Sequence, residues 1–348
     1  MKQGGVLSRL LWTLCVVHHR VILLLPNSLH LYKKRLSECR DRTEKSSHNM
    51  IAYSIIILPI FPLCKTRPLP KKQWPCLVLN VQYTFPYYLD SLKKCGLSRI
   101  DMWGGAPHYC RLDHNSSREA AAKIAQLRSM MADRGQEVVI YTPETLGYPF
   151  SYSTPDFALR SRTIDFMKYA MEDALAFGTH RVFLNTGCHS RDLPREEGWK
   201  RTVDSYRALA DFAEKMGIHL VLEQLQPYES NLCTTLPHIQ QMLKEVDSPA
   251  LKVCVDLVAM EVAGEKLEDY CESLGDKLQW VHYSDSHHMI LGDGNYGREK
   301  LEGYVRTLEK YDFKNGLDLE INDSIYWEDP HASIQRSADY LRTFLPEK

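Results

Sequence analysis

The chain contains no C-x-x-C pair, although it holds ten cysteines among 348 residues. Thiols scattered in this way exclude a tightly spaced thiolate-zinc site and argue against a disulfide framework, so a reduced, cytoplasmic protein is expected. Several lie within apolar runs, as Cys254 does between Val253 and Val255, where a free thiol acts as a small hydrophobe. No uninterrupted apolar stretch reaches the roughly 20 residues that cross a bilayer. The run 6–26 is interrupted by Arg9, His18, His19 and Arg20, and the run 50–64 carries Pro59 and Pro62, which break a helix. No membrane partner is expected. A glycine-rich phosphate loop after the first strand-like run is also missing, which argues against a doubly wound nucleotide-binding sheet.

Positive charge is short where most of the chain lies. The formal net charge is -1, but residues 1–75 carry 13 Lys/Arg against 3 Asp/Glu, leaving 30 against 41 for residues 76–348. Phosphate binding needs clustered positive charge, so nucleic acid is not an expected partner of this acidic region. Small polyols or cationic ligands suit it better. Residues 1–75 read as a basic N-terminal extension of weak order. Its first apolar run fits a signal or transit peptide loosely, but no small-residue cleavage site stands out, and a segment that does not pack is the favoured reading.

From Leu77 onward, short apolar runs alternate with longer helical patterns, as in α/β architecture. Strands are expected at 77–81, 98–103, 137–142, 181–186, 218–223, 251–256, 278–283 and 316–320. Helices are expected at 87–95, 117–133, 157–177, 197–216, 235–246, 262–274, 298–311 and 330–345. Gly96, Gly135, Gly178, Gly217 and Gly316 stand at helix-to-strand joints, where a left-handed residue ends a helix. Eight βα pairs predict a (β/α)8 TIM barrel over residues 76–348.

Four of the expected strands end in a group that can bind a cation: Glu223 in HLVLEQ, Asp256 in LKVCVD, His282 in LQWVH and Glu320 in GLDLE. Their intervals of 33, 26 and 38 residues each fit one βα unit. Strand C-termini converge on one mouth of such a barrel, so three carboxylates and an imidazole would meet there. That donor set suits one divalent metal ion: Mn2+, Co2+ or Mg2+. Glu223 and Glu320, approaching from opposite sides of the barrel axis, could take a proton from a carbon beside a carbonyl and return one to the other face. That is isomerisation or epimerisation chemistry. Taken singly, an acid after an apolar run is usually a helix cap or a surface charge. Four at one barrel end are harder to explain so.

The stretches VLEQLQPYESN, VCVDL, VHYSDS and LDLEI resemble the sugar isomerase/epimerase barrels typified by D-tagatose and D-psicose 3-epimerases, over about residues 76–346. The resemblance implies a xylose isomerase-like barrel in which Glu223, Asp256, His282 and Glu320 bind the metal and Glu223 and Glu320 form the acid/base pair. It also implies that Glu229 contacts substrate hydroxyls. IDMWGGAPHY and YTPETLGYPFSY look like the fructoselysine 3-epimerases, which implies a fructosamine-type sugar-amine substrate. By that likeness Trp103, Gly104 and His108 line the sugar pocket, while Glu144, Tyr148 and Pro149 lie near its mouth. Glu144 would suit an ammonium group; Tyr148 and Tyr228 read as scaffold. Where free-ketose epimerases have a substrate-binding His and an Arg, this chain has Ala259 and His288, so His287 or His288 is expected to serve the carbonyl end. The resemblance suggests a homo-oligomer. Two other readings are a non-catalytic sugar-binding barrel and a phosphodiesterase like endonuclease IV. GDGNYG (292–297) has no phosphate-loop lysine and reads as a turn over the site.

Overall fold

The computed structural model describes residues 73–75, 77–147 and 149–345. The expected disordered extension, apart from residues 73–75, lies outside these, and so does Tyr148. Eight parallel strands form one sheet: β1 (Gln73–Pro75), β2 (Arg99–Gly104), β3 (Glu137–Pro143), β4 (Arg181–Asn185), β5 (His219–Glu223), β6 (Leu251–Asp256), β7 (Leu278–His282) and β8 (Leu317–Leu319). Their order is β1-β8-β7-β6-β5-β4-β3-β2, and β1 and β2, at its two ends, lie against each other. Around this nearly closed barrel run α1 (Phe85–Lys94), α2 (Ser117–Ala132), α3 (Phe157–Phe177), α4 (Arg195–Met216), α5 (Leu236–Val246), α6 (Leu257–Val262), α7 (Leu267–Leu274), α8 (Gly297–Lys310) and α9 (Pro330–Arg342). This is a (β/α)8 TIM barrel, as the alternation of runs led one to expect.

The apolar positions divide into two sets. Ile140, Phe183, Val221, Cys254 and Trp280 form a small cluster of their own, separate from the large core in which strands pack against helices. Side chains alternate along a strand. So the residues two positions further on, Thr142, Asn185, Glu223, Asp256 and His282, share the inner face with that cluster and stand nearer the strand C-termini. The inner face therefore carries an apolar cluster with these mostly polar side chains nearer the mouth.

Local signals explain most boundaries. Asp156 Oδ1 accepts from Ala158 N and Leu159 N to open α3, and Gly178 and Gly217 take left-handed conformations at the ends of α3 and α4. Gly316 is not among the glycines with positive φ, so the expectation fails at that joint. Two elements also differ. The run expected as a strand at 77–81 is a 3-10 turn over Leu77–Asn80, and the strand paired with β8 is Gln73–Pro75. Periodicity cannot separate a short apolar run in a strand from one in a helix. Pro75, which lacks an N–H, is tolerated because β1 pairs on one side only. The helix expected at 262–274 begins only at Leu267, as α7, and a short helix not expected from the sequence, α6, follows β6 directly and ends before Gly264, whose φ is 71°.

Candidate functional site

Glu223, Asp256 and His282 end β5, β6 and β7, and Glu320 follows β8 directly. Glu223, Asp256 and His282 are buried, and Glu320 is partly exposed at the mouth. The four are joined by contacts. His282 Nδ1 lies 2.5 Å from Glu223 Oε1 and 3.1 Å from Glu320 Oε2. Asp256 joins the group through His288, whose Nε2 is 3.1 Å from Asp256 Oδ2 and 3.3 Å from Glu320 Oε2. The order of contact is Glu223, His282, Glu320, His288, Asp256.

His288 reaches this position through an unusual loop. His287 and His288 have φ of 59° and 54°, a left-handed region that costs a non-glycine residue free energy. The loop is wound around Asp285, whose Oδ1 accepts from Ser286 N and Tyr296 N and whose Oδ2 accepts from Gly292 N. Ser286 Oγ accepts from Asn295 N at 2.7 Å. The GDGNYG segment is thus a tied turn beside the cluster, and it holds His288 there.

The charges are complementary. Burial pushes the Glu223 carboxyl up to about 8, the lowering effect of His282 notwithstanding. Burial would also raise Glu320, but His282 and His288 outweigh it and hold Glu320 well below the usual carboxylate range. Burial alone would lower His288, and the Asp256 and Glu320 carboxylates lift it well above its ordinary value. No lysine or arginine takes part in these contacts. Glu320 Oε2 is buried and lies near two imidazole nitrogens, yet it accepts no aligned hydrogen bond from the described residues. Two separate sets of donors, Glu223–Cys254–His282 and Asp256–His288–Glu320, each gather within 4.8 Å. Oxygen-rich convergence with an unsatisfied carboxylate oxygen fits a divalent cation, and Glu223, Asp256, His282 and Glu320 are the residues that could hold it.

The other expected residues are placed unevenly. Trp103 ends on the inner face of β2 and its Nε1 donates to Glu144 Oε2 at 3.0 Å. Glu144 Oε1 accepts from Leu146 N, which leaves this exposed carboxylate at the mouth already engaged on both oxygens. Glu229 Oε2 accepts from Gln226 N at 3.0 Å, and its carboxyl is pushed up, mainly by burial, with Glu320 and Asp256 adding to it. His108 turns elsewhere. Its Nε2 hydrogen-bonds the Tyr83 carbonyl at 2.7 Å, and its ring packs on Phe85. Pro149 accepts from Arg162 through its carbonyl. Tyr228 is 73% exposed, not packed scaffold as expected. Ala259 is buried and its N–H caps Asp256 Oδ2 at 3.3 Å.

Sequence reasoning missed two further buried acids. Asp101 and Asp318 are buried carboxyls, Trp280 Nε1 donates to Asp318 Oδ2 at 3.0 Å, and Phe183 stacks on the His282 ring with centroids 5.2 Å apart. The signal was present: Asp318 stands two residues before Glu320, as Asp101 does before Trp103, and such residues share a face in a strand.

Comparison with known proteins agrees with this fold. The profile of the family described as a xylose isomerase-like TIM barrel matches residues 89–344. Fructoselysine 3-epimerase of Escherichia coli O157:H7 is 29% identical over 257 residues, 72% of this chain and 90% of that protein. D-psicose 3-epimerase of Agrobacterium fabrum is 21% identical over 217 residues, 60% of this chain and 71% of that protein. Among solved structures, D-psicose 3-epimerase with D-tagatose from Clostridium cellulolyticum H10 superposes with a TM-score of 0.65 at 16% identity, covering 78% of this chain and 98% of that one.

Proposed function

Because the chain belongs to the xylose isomerase-like TIM-barrel family and is similar to ketose 3-epimerases, we propose that it is a divalent-metal-dependent ketose 3-epimerase. Its substrate class is the fructosamines, sugar-amines such as fructoselysine. The observation that carries this reading is the convergence of Glu223, Glu320 and His282 on one point of the barrel mouth.

Glu223, Asp256, His282 and Glu320 would hold the cation. When bound, a divalent ion supplies a Lewis acid that polarises the ketose carbonyl and offsets the negative charge of the enediolate. The chain's own groups move the proton. One carboxylate of the Glu223/Glu320 pair takes the C3 proton, and the other, in its acid form, returns a proton to the opposite face. In the ion-free chain burial favours the acid form of Glu223 while two imidazoles favour the carboxylate of Glu320. Glu229, bonded to its own turn, holds substrate hydroxyls, and His288 faces the carbonyl end in place of the arginine of free-ketose epimerases. Trp103 and Glu144 form the mouth, where Glu144 meets an ammonium group; His108 shapes the pocket wall through the Tyr83 loop.

The six described cysteines Cys95, Cys110, Cys188, Cys233, Cys254 and Cys271 are free, which supports a reducing, cytoplasmic setting. Among the described residues no helix is long and apolar enough to cross a membrane. The likeness to sugar epimerases supports a small-molecule partner and a homo-oligomer rather than nucleic acid.

The test is a substrate panel of fructoselysine, psicose and tagatose, each with Mn2+, Co2+ or Mg2+, followed by NMR. Epimerisation at C3 is expected, fastest with fructoselysine. Glu144→Gln should raise KM for fructoselysine roughly tenfold, as loss of a hydrogen-bonded charge does, and leave KM for neutral ketoses unchanged. Equal effects on both would remove Glu144 from amine recognition. No turnover of any ketose with any of the ions would end the epimerase reading.

A further inference from the structure

The loop 224–235 between β5 and α5 carries Glu229, the proposed grip on substrate hydroxyls. Leu225 N–H donates to the Cys233 carbonyl at 2.9 Å, which closes the neck of the loop and leaves residues 226–232 as a lobe. Within it, Glu229 N–H and Ser230 N–H both donate to the Gln226 carbonyl, and Glu229 Oε2 accepts from Gln226 N–H. These bonds shape a turn but do not tie it to the barrel. A lobe without strand or helix opens easily unless its backbone is held from outside.

The hold comes from the neighbouring loop, between β4 and α4. Arg191 Nη2 donates to the Pro227 carbonyl at 2.8 Å and to the Tyr228 carbonyl at 3.3 Å. Arg195, the first residue of α4, donates from Nε to the Asn231 carbonyl and from Nη2 to the Leu232 carbonyl, each at 2.7 Å. Two guanidiniums thus take four carbonyls of the lobe, and the residues between those carbonyls are Glu229 and Ser230. Ser230 Oγ donates to the Gly187 carbonyl at 2.6 Å, and Asn231 Oδ1 accepts from His189 N–H at 2.9 Å. None of the four arginine partners is a carboxylate, so each fork is spent on backbone. Hydrogen bonds from a charged donor are roughly twice as strong as neutral ones.

We propose that Arg191 and Arg195 are positioning residues for Glu229: reaching across from the β4–α4 loop, they bracket its turn by the backbone and hold the carboxylate in place before substrate arrives. This rests on the reading of Glu229 as a substrate contact. Order set in advance spares the substrate the entropy cost of fixing the lobe. A grip on hydroxyls that take no part in proton transfer is made in ground and transition state alike, so its loss appears in KM rather than kcat.

Two measurements on the full chain test this. Arg191, which is exposed, is the cleaner site, because Arg195 also lies over the Trp199 ring at 5.3 Å from the centroid. The first measurement is hydrogen exchange of the peptide 226–232, read by mass spectrometry without substrate or metal. Arg191→Ala should speed its exchange about tenfold, the worth of a hydrogen bond to a charged group. Arg191→Lys keeps one charged donor and should restore most of the protection. The second is turnover of fructoselysine, where Arg191→Ala should raise KM about tenfold and leave kcat within about twofold. Made in a Glu229→Ala chain, the same change should shift kcat/KM by less than about twofold, because residues that act through one another are not additive. Unchanged exchange in Arg191→Ala would overturn the clamp. An equal loss with and without Glu229 would show that the arginine does not act through it. If wild type turns over no ketose, the epimerase reading fails on its own, and exchange alone then decides whether the clamp exists.

Discussion

Glu223 and Asp101 are buried acids whose folded state favours the proton. Burial raises Glu223 from 4.5 to about 8 and Asp101 from 3.8 to about 6. The folded chain therefore keeps protons that the unfolded chain has released over this interval, and stability falls wherever that holds. His282 and His288, lifted above 6.5, act in the same direction at the upper end, since their contribution is full below 6.5 and is lost above it. Glu320, held low, acts oppositely, but only as pH falls below 4.5. The ion-free protein should thus have a lower thermal midpoint at pH 8 than at pH 5 in the presence of a chelator. Added Mn2+ should restore more at pH 8, because ligands must shed protons to bind a metal. A midpoint that rises from pH 5 to pH 8 without metal would contradict the assigned shifts. Which of these residues was legible in advance follows a simple rule. Each of Glu223, Asp256, His282 and Glu320 closes an apolar run, so position marked it. Asp318 and Asp101 sit inside such runs and look like exceptions to an apolar pattern; only the closing of the barrel shows that they meet.

At the scale of elements, the strand ends place groups and the loops aim them. The loop between β7 and α8 is the clearest case, because it brings His288 to Asp256 and Glu320 through two left-handed residues. Its turn is tied to Asp285, and a Cβ at Gly294 would overlap the Asp285 carboxyl and Ser286 Oγ. Gly294→Ala should therefore cost about 1–3 kcal/mol, the usual range for overpacking, and should loosen substrate binding more than Gly297→Ala does. Gly297 has open space around its Cβ position, although its φ of 75° makes that substitution strained too. Urea titration with KM measurement separates the cases, and equal KM values for the two variants would detach the turn from the site. The sequence signalled a turn here from its glycines, but not its target, since no periodic pattern encodes a loop's path. The same limit explains the two misplaced elements. LVLN satisfies a strand pattern and a 3-10 turn alike, and the helix expected from 262 starts only at Leu267, beyond Gly264 and its positive φ.

Across the whole molecule, alternation of eight strand runs with helical ones was enough to foresee a parallel barrel, because right-handed βα units leave few other closures. Barrel closure also turns three acids and a histidine, spread over nearly a hundred residues, into neighbours. It does not reveal what the mouth excludes. His108 falls within the expected stretch yet bonds the Tyr83 carbonyl, and Tyr228 lies open at the rim. The central claim is proton transfer at one sugar carbon by Glu223 and Glu320. Solvent exchange at that carbon tests it most directly, by proton NMR of fructoselysine in D2O with bound Mn2+ removed and Mg2+ or Co2+ supplied. Wild type should replace the C3 hydrogen with deuterium, a chelator should stop it, and Glu223→Gln or Glu320→Gln should slow it by about 100-fold or more. Undiminished exchange at C3 in either glutamine variant would contradict the account.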